Sequence, residues 1–395
     1  MLDRRHFLLG SSAAAATALS GARAAFAGAP TDNRLVFIIL RGGLDGLHAL
    51  APYADKNYHS LRPRLALAAP GQENGVLDVN GYFGVHPALG PLHALYKSKE
   101  LLFVPASSTR YRMRSHFDGQ NMLENGSGKP YGAGTGWLNR AIAGLNAGDR
   151  KLGLALGPAV PLILQGDARV QTWANSQLPK VDEDFLTRMS RMYKSDPLFA
   201  AAIADARASL KPNVKMDGMD ARPGSAKEFA LAATAAADLL AHDNGPRIAV
   251  MELQGWDTHF RQEERLKALF AQLSQGVAAL KGGLGPAWTK TAIVVVSEFG
   301  RTVAENGSNG TDHGTGGIAM VAGGAIAGGK IAGKWPGLSG KALFEGRDVH
   351  AVNDYESIFK SALVTHMGLG RGYVEDKVFP NSGDIKFMDG LFRNA

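Results

Sequence analysis

The 395-residue chain contains no cysteine. No disulfide can stabilise it, and any metal it holds must be bound by His, Asp, Glu or Ser. It has no uninterrupted apolar run of about 20 residues, the length a membrane-spanning helix requires. The nearest approach is the alanine-rich segment from Leu8 to Leu19, which is too short and too interrupted. No basic block is interleaved with aromatics, so nucleic acid is not an expected partner. No repeat of fixed period is visible. The net charge of +7 is mild, and +2 of it lies in the first 27 residues.

Those first residues carry a positive signal. Arg4-Arg5-His6-Phe7-Leu8 is an arginine pair followed by Phe-Leu. A weakly apolar stretch follows, then two small-x-small sites, Ala22-Arg23-Ala24 and Ala25-Phe26-Ala27. The order of charge, apolar run and cleavage site is that of a twin-arginine export signal. The expected organisation is a signal peptide over 1–27 and one domain over 28–395. The mature protein is expected in the periplasm, with the twin-arginine export machinery as its partner. That route usually carries folded proteins and suits a chain that acquires a metal before it crosses.

Several apolar, β-branched runs read as buried strands: Leu35 to Leu40, Leu101 to Val104, Ile248 to Leu253, Ala292 to Val296 and Ile318 to Val321. Between them, Pro87 to Lys97, Asp184 to Leu210, Ser225 to Ala241, Phe260 to Leu280 and Asn353 to Leu369 have helical periodicity. The segment from Lys211 to Pro223, rich in Pro, Gly and Asp, reads as an exposed linker. The span of about 181–242 reads as a helical insertion, either a lid or a dimer surface. Lys330 to His350 reads as a small β excursion. The alternation predicts an α/β fold, a mostly parallel central sheet with helices on both faces.

In such sheets, ligands sit at the carboxyl ends of the strands. There the chain places Asp45, then Arg112 to Asp118, then Asp257-Thr258-His259, then Ser297-Glu298-Phe299-Gly300-Arg301, with Asp312-His313 in the loop to the next strand. Each has an ordinary explanation: a turn at Asp45-Gly46, a helix cap at Asp257, an ion pair between Glu298 and Arg301, a packed histidine at His116. Their recurrence at one rim favours a cation or a set of arginines between them, because carboxylates are costly to bury unpaired.

Arg41-Gly42-Gly43-Leu44-Asp45-Gly46-Leu47, Gly84-Val85-His86-Pro87, Arg114-Ser115-His116-Phe117-Asp118, Gly136-Trp137-Leu138, Gly255-Trp256-Asp257-Thr258-His259, Ser297-Glu298-Phe299-Gly300-Arg301-Thr302 and Asp312-His313-Gly314 occur in order. Together they resemble the DUF1501 family, exported bacterial proteins, over about residues 34 to 370. That family is grouped with the alkaline phosphatase and sulfatase superfamily. The resemblance implies metal ligation by Asp45, Asp257, His259, Glu298 and His313, with Asp312 able to fill a gap and His116 and Asp118 in reserve. It implies Ser115 as nucleophile, and Arg114 or Arg301 holding the non-bridging oxygens. The cofactor would be a divalent metal, zinc by default, one ion or two. The chain departs from the superfamily pattern at Phe299, where a histidine is usual, and in the Asp257-x-His259 spacing.

The expected activity is hydrolysis or transfer of a phosphate or sulfate ester on a small molecule or a polymer. Two alternatives stand beside it: an exported binding or assembly protein that keeps the fold without the reaction, and a cell-envelope glycan-modifying enzyme. Replacing both Arg4 and Arg5 with lysine should leave the precursor in the cytoplasm. Fractionation that finds the double variant in the periplasm at normal levels would contradict the export reading.

Overall fold

The computed structural model describes residues 31–145, 151–175, 183–197, 199–200, 203–204 and 226–393. The export signal and the linker from Lys211 to Pro223 lie outside the described residues. So does most of the C-terminal half of the helix expected from Asp184 to Leu210.

The core is an eight-stranded sheet. In chain order its strands are β1 (Arg34–Leu40), β2 (Leu101–Ser108), β3 (Gly153–Leu156), β4 (Val170–Trp173), β5 (Ile248–Leu253), β6 (Thr291–Ser297), β7 (Gly317–Ala322) and β8 (Asn353–Asp354). Across the sheet the order is β8-β2-β7-β6-β1-β5-β3-β4. All neighbours are parallel except that β7 runs antiparallel to both β6 and β2. The expected α/β class and its five strands are present. The sequence reading did not include β3, β4 and β8, which are only two to four residues long. Asn353 and Asp354, expected to open a helix, form β8 instead.

β1 is buried along its whole length, so its pattern is continuously apolar rather than alternating. Alternation reappears in which face each residue serves. Val36, Ile38 and Leu40 pack with helices α1 (Gly90–Lys97), α4 (Ala226–Ala241) and α5 (Gln262–Leu284). Leu35, Phe37 and Ile39 face α2 (His116–Asn125), α3 (Trp137–Gly144) and α6 (Tyr355–Ser361). On that face Phe37 meets the rings of Trp137 and Phe359 edge-on at 5.3 and 5.2 Å.

α4 falls in the span expected to be an insertion. Its Phe229, Ala233, Ala236, Ala237 and Leu240 are nevertheless buried in the core. Of the rest of that span, the helix Glu183–Met192 is described. The β excursion is a two-stranded ribbon, Leu343–Phe344 with Asp348–Val349.

Two features of this fold set the site. The parallel strands β1, β5 and β6 all end at one rim. β7, being antiparallel, starts at that rim, so the 298–316 loop stays there and delivers its residues beside the ends of β1 and β5. Behind the rim, Asp45 accepts at 2.7 Å from Arg62 Nη1 and at 2.6 Å from Gln262 Nε2, and caps a short helix through the N–H groups of Leu47 and His48. Asp45 and Arg62 are both fully buried. Burial alone would raise the Asp45 pKa; the charge and hydrogen bond of Arg62 outweigh it and hold the carboxyl below its usual value. Asp45→Ala therefore leaves a buried guanidinium without its partner, a loss of about 3–5 kcal/mol. Urea unfolding should show it; a loss below about 1 kcal/mol would mean that the pair behaves like an exposed one.

Candidate metal centre

Two loops and one helix start meet at the rim. β5 leads into Asp257 and His259, the 298–316 loop supplies His313, and α2 begins at His116. The closest contacts are among the ligand-type atoms themselves. His313 Nε2 lies 3.0 Å from His116 Nε2 and 3.2 Å from Asp257 Oδ1. His116 Nε2 lies 3.5 Å from the same Asp257 oxygen. His259 Nε2 joins from the side, 3.0 Å from His313 Nε2 and 3.0 Å from Asp257 Oδ1. Among the described residues, His116, Asp257 and His313 form a group compact enough to hold one ion, and His259 Nε2 is as close to His313 and Asp257 as His116 is.

The spacing fits a metal. Tetrahedral bonds of about 2.0–2.1 Å put neighbouring ligand atoms roughly 3.3 Å apart. The three edges here are 3.0, 3.2 and 3.5 Å. Two imidazoles and a carboxylate are also the donor types that suit zinc, and three protein ligands leave a fourth position open.

The outer ring nitrogens support the same assignment. His116 Nδ1 lies 2.8 Å from Glu298 Oε1, His313 Nδ1 lies 3.0 Å from the Arg114 carbonyl oxygen, and His259 Nδ1 lies 3.2 Å from Asp312 Oδ1. These acceptors can only take a proton, so each imidazole carries its N–H outward and turns the Nε2 lone pair toward the common point. Metal-binding histidines are oriented in this way. Backbone strain is present at one of these contacts: Arg114, a non-glycine residue, has φ +63° while its carbonyl accepts from His313.

The neighbouring charges act differently on each residue. Burial pulls the His116 pKa down, but the hydrogen bond and charge of Glu298, with Asp257, win and hold it above the ordinary value. His313 moves the other way, lowered by burial and by the charges of His116 and Arg301. Burial would raise Asp257, yet the Arg301 bond and charge keep it below the usual carboxylate range.

Several residues expected at the centre have other partners. Glu298 is fully buried; besides His116 it accepts from Gly42 N at 2.8 Å, Gln120 Nε2 at 2.9 Å and Ser297 Oγ at 2.9 Å. It holds a histidine rather than facing the common point. Asp312 serves His259 and Asn306. Asp45 is held by Arg62 and Gln262, and Asp118 accepts from the Tyr111 hydroxyl at 3.1 Å. His116, kept in reserve on sequence, is one of the compact trio.

The two arginines are also engaged. Arg301, fully buried, donates to Asp257 Oδ1 and to the carbonyls of Gly42, Gly43, Trp256 and Thr311. Arg114 lies between Glu345 and Asp348. Ser115 is half-buried and precedes α2, but its hydroxyl makes no capping bond to the helix. Phe299, next to Glu298, packs against two of the histidines. Its ring lies 4.8 Å from His116 and 5.2 Å from His313.

Fold and rim together define an α/β protein with a histidine-and-carboxylate centre at the carboxyl ends of its strands. The chain belongs to the family described as protein of unknown function (DUF1501), whose profile matches residues 86–377. No curated protein matches it. Solved structures resemble it loosely. The lipoteichoic acid synthase LtaP from Listeria monocytogenes shares 9% identity over 78% of this chain and 68% of that one, with a TM-score of 0.37. The C-terminal periplasmic domain of EcEptC from Escherichia coli, in complex with Zn, shares 9% over 75% and 74%, at 0.35. The alkaline phosphatase from the Antarctic bacterium TAB5 shares 14% over 75% and 92%, at 0.34.

Glu298→Gln tests the orienting role of that carboxylate. The variant keeps the size but can turn an N–H toward His116. Zinc affinity should fall by about 10–100-fold, read by competition with a chelating dye. Unchanged affinity would show that His116 needs no such partner.

Proposed function

We propose that this protein is an exported, metal-dependent hydrolase or transferase of a phosphate or sulfate ester. The observation that supports it best is the convergence of His116, His313 and Asp257 on one point, with each ring proton directed outward to an acceptor. No helix of the described residues is long and apolar enough to cross a membrane.

In this reading His116, His313 and Asp257 hold one divalent ion, zinc, with His259 beside them. A divalent ion bound there supplies Lewis-acid polarisation of an ester oxygen. The chain does the rest. Glu298, the Arg114 carbonyl and Asp312 keep the imidazole protons on Nδ1. Arg301 fixes Asp257 and uses only one lone pair of its Oδ1, leaving the other for the ion. Ser115 is the nucleophile. Its Oγ forms the new bond to phosphorus or sulfur as the bond to the leaving oxygen breaks. The serine proton passes to solvent, and the leaving oxygen takes one from it. Water then cleaves the serine ester and regenerates the hydroxyl. The N–H groups at the start of the ten-residue α2 are placed to receive negative charge on the transferred group.

Elemental analysis and zinc titration of the purified protein test the ion. The wild type should bind about one equivalent, and His116→Ala, Asp257→Ala and His313→Ala should each lose it. Ser115→Ala should retain zinc while turnover of an aryl ester drops, on the order of 10⁴-fold. Zinc binding that is absent from the wild type, or unaffected by all three replacements, would defeat the proposal. Full activity in Ser115→Ala would remove the nucleophile and spare the metal site.

A further inference from the structure

The rim supplies its own countercharges. Arg301 is bound to Asp257 and to four carbonyls. Arg114 is shared by Glu345 and Asp348, and Arg347 lies 3.0 Å from the other oxygen of Asp348. Arg112 donates to the carbonyls of Thr109 and Tyr111. Arg41 lies between Glu124 and Glu252. On the His259 side Arg261 pairs with Glu264, and Arg265 lies over the Phe260 ring at 5.2 Å. A substrate therefore meets guanidinium groups that already have partners.

Around the histidines themselves stand Asp257, Glu298 and Asp312, against the single guanidinium of Arg301. The excess is two negative charges, which one divalent ion cancels. A doubly charged group arriving there would find no surplus positive charge among Asp257, Glu298, Asp312, Arg301 and the ion to offset it. Three apolar side chains next to the centre's residues in the chain are exposed. Met113 is 79% exposed, Phe117 81% and Phe260 56%. Met113 and Phe117 flank Ser115 and His116 in the chain, and Phe260 follows His259. Exposed apolar side chains beside a polar centre offer an apolar substituent something to contact.

We infer that the site takes an ester whose transferred group bears a single negative charge and whose substituent is apolar, a sulfate monoester or a phosphate diester, in preference to a dianionic phosphate monoester. The inference rests on the metal-site reading above and adds a substrate class to it. Met113, Phe117 and Phe260 receive the substituent; the centre receives the monoanion.

Two non-hydrolysable probes separate the cases. Phenylphosphonate is chiefly a dianion in mildly alkaline solution, and methyl phenylphosphonate is a monoanion with the same ring. Calorimetric titration of the zinc-loaded protein should show the monoester binding tighter by about tenfold or more. Equal or tighter binding of phenylphosphonate overturns the inference and leaves the metal site intact. Binding of neither probe to protein that holds its zinc also overturns it. Loss of the zinc itself is the separate failure of the function proposed above. Phe117→Ser should weaken the methyl phenylphosphonate complex about fivefold at unchanged zinc content. Unaltered affinity in that variant, and likewise in Phe260→Ser, overturns the apolar half. Turnover of phenyl sulfate against methyl phenyl phosphate then distinguishes the two sources of the single charge.

Discussion

Arg301 carries a full positive charge to the floor of the rim, where its side chain has no contact with water. Burial pulls its pKa down, and Asp257, Asp45 and Glu298 oppose that pull. A guanidinium left unpaired there would cost several kcal/mol. Instead it donates to the carbonyls of Gly42 and Gly43 beyond β1, to Trp256 and Asp257 beyond β5, and to Thr311 in the loop before β7. One side chain thus ties the ends of three chain segments. Asp257, His259 and His313 can converge because their loops are bound to the same planar fork.

The loop that returns His313 depends on close backbone approach. A Cβ on Gly300 would lie 2.1 Å from the Gly316 oxygen, and one on Gly314 would lie 2.4 Å from the Arg301 carbonyl carbon. Glycine at both positions lets the two arms of the loop pair, with Arg301 bridged to His313. The antiparallel setting of β7 follows from the same reversal. A parallel β7 would have to start at the opposite end of the sheet, and His313 would leave the site.

Much of this was legible in the sequence for one reason: strand ends in parallel sheets are marked by where apolar runs stop. Leu40, Leu253 and Val296 mark the rim, and Asp257, His259, Glu298 and His313 follow from them. What the sequence does not show is which lone pairs are already used. Asp45 and Glu298 have the residue type and the position of metal ligands. Their partners, Arg62, Gln262, Gly42, Gln120 and His116, come from elements far along the chain. Arg114 and Arg301 look free to bind anions until Glu345, Asp348 and the rim carbonyls are placed beside them. His116 does not stand out in the sequence, because a histidine opening a helix is ordinary until Glu298 is found at its Nδ1. α4, read as part of an insertion, shows the converse limit. Its alanine-rich face gives the period of a helix but not the surface that covers it.

Phe299 sets the character of one side of the site. A residue at the tip of β6 beside Glu298 could have added a further donor, and a phenyl ring cannot. The ring instead packs against His116 and His313, and Gly119 and Gly43 leave it room: a Cβ on Gly119 would lie 3.1 Å from the ring, and one on Gly43 2.7 Å. An apolar wall directly against two imidazoles excludes water from one side of the centre. The local dielectric falls there, and each charge–charge contact among Asp257, Arg301 and the histidines strengthens. The ring therefore makes Asp257, Arg301 and the two histidines more sensitive to any charge placed among them.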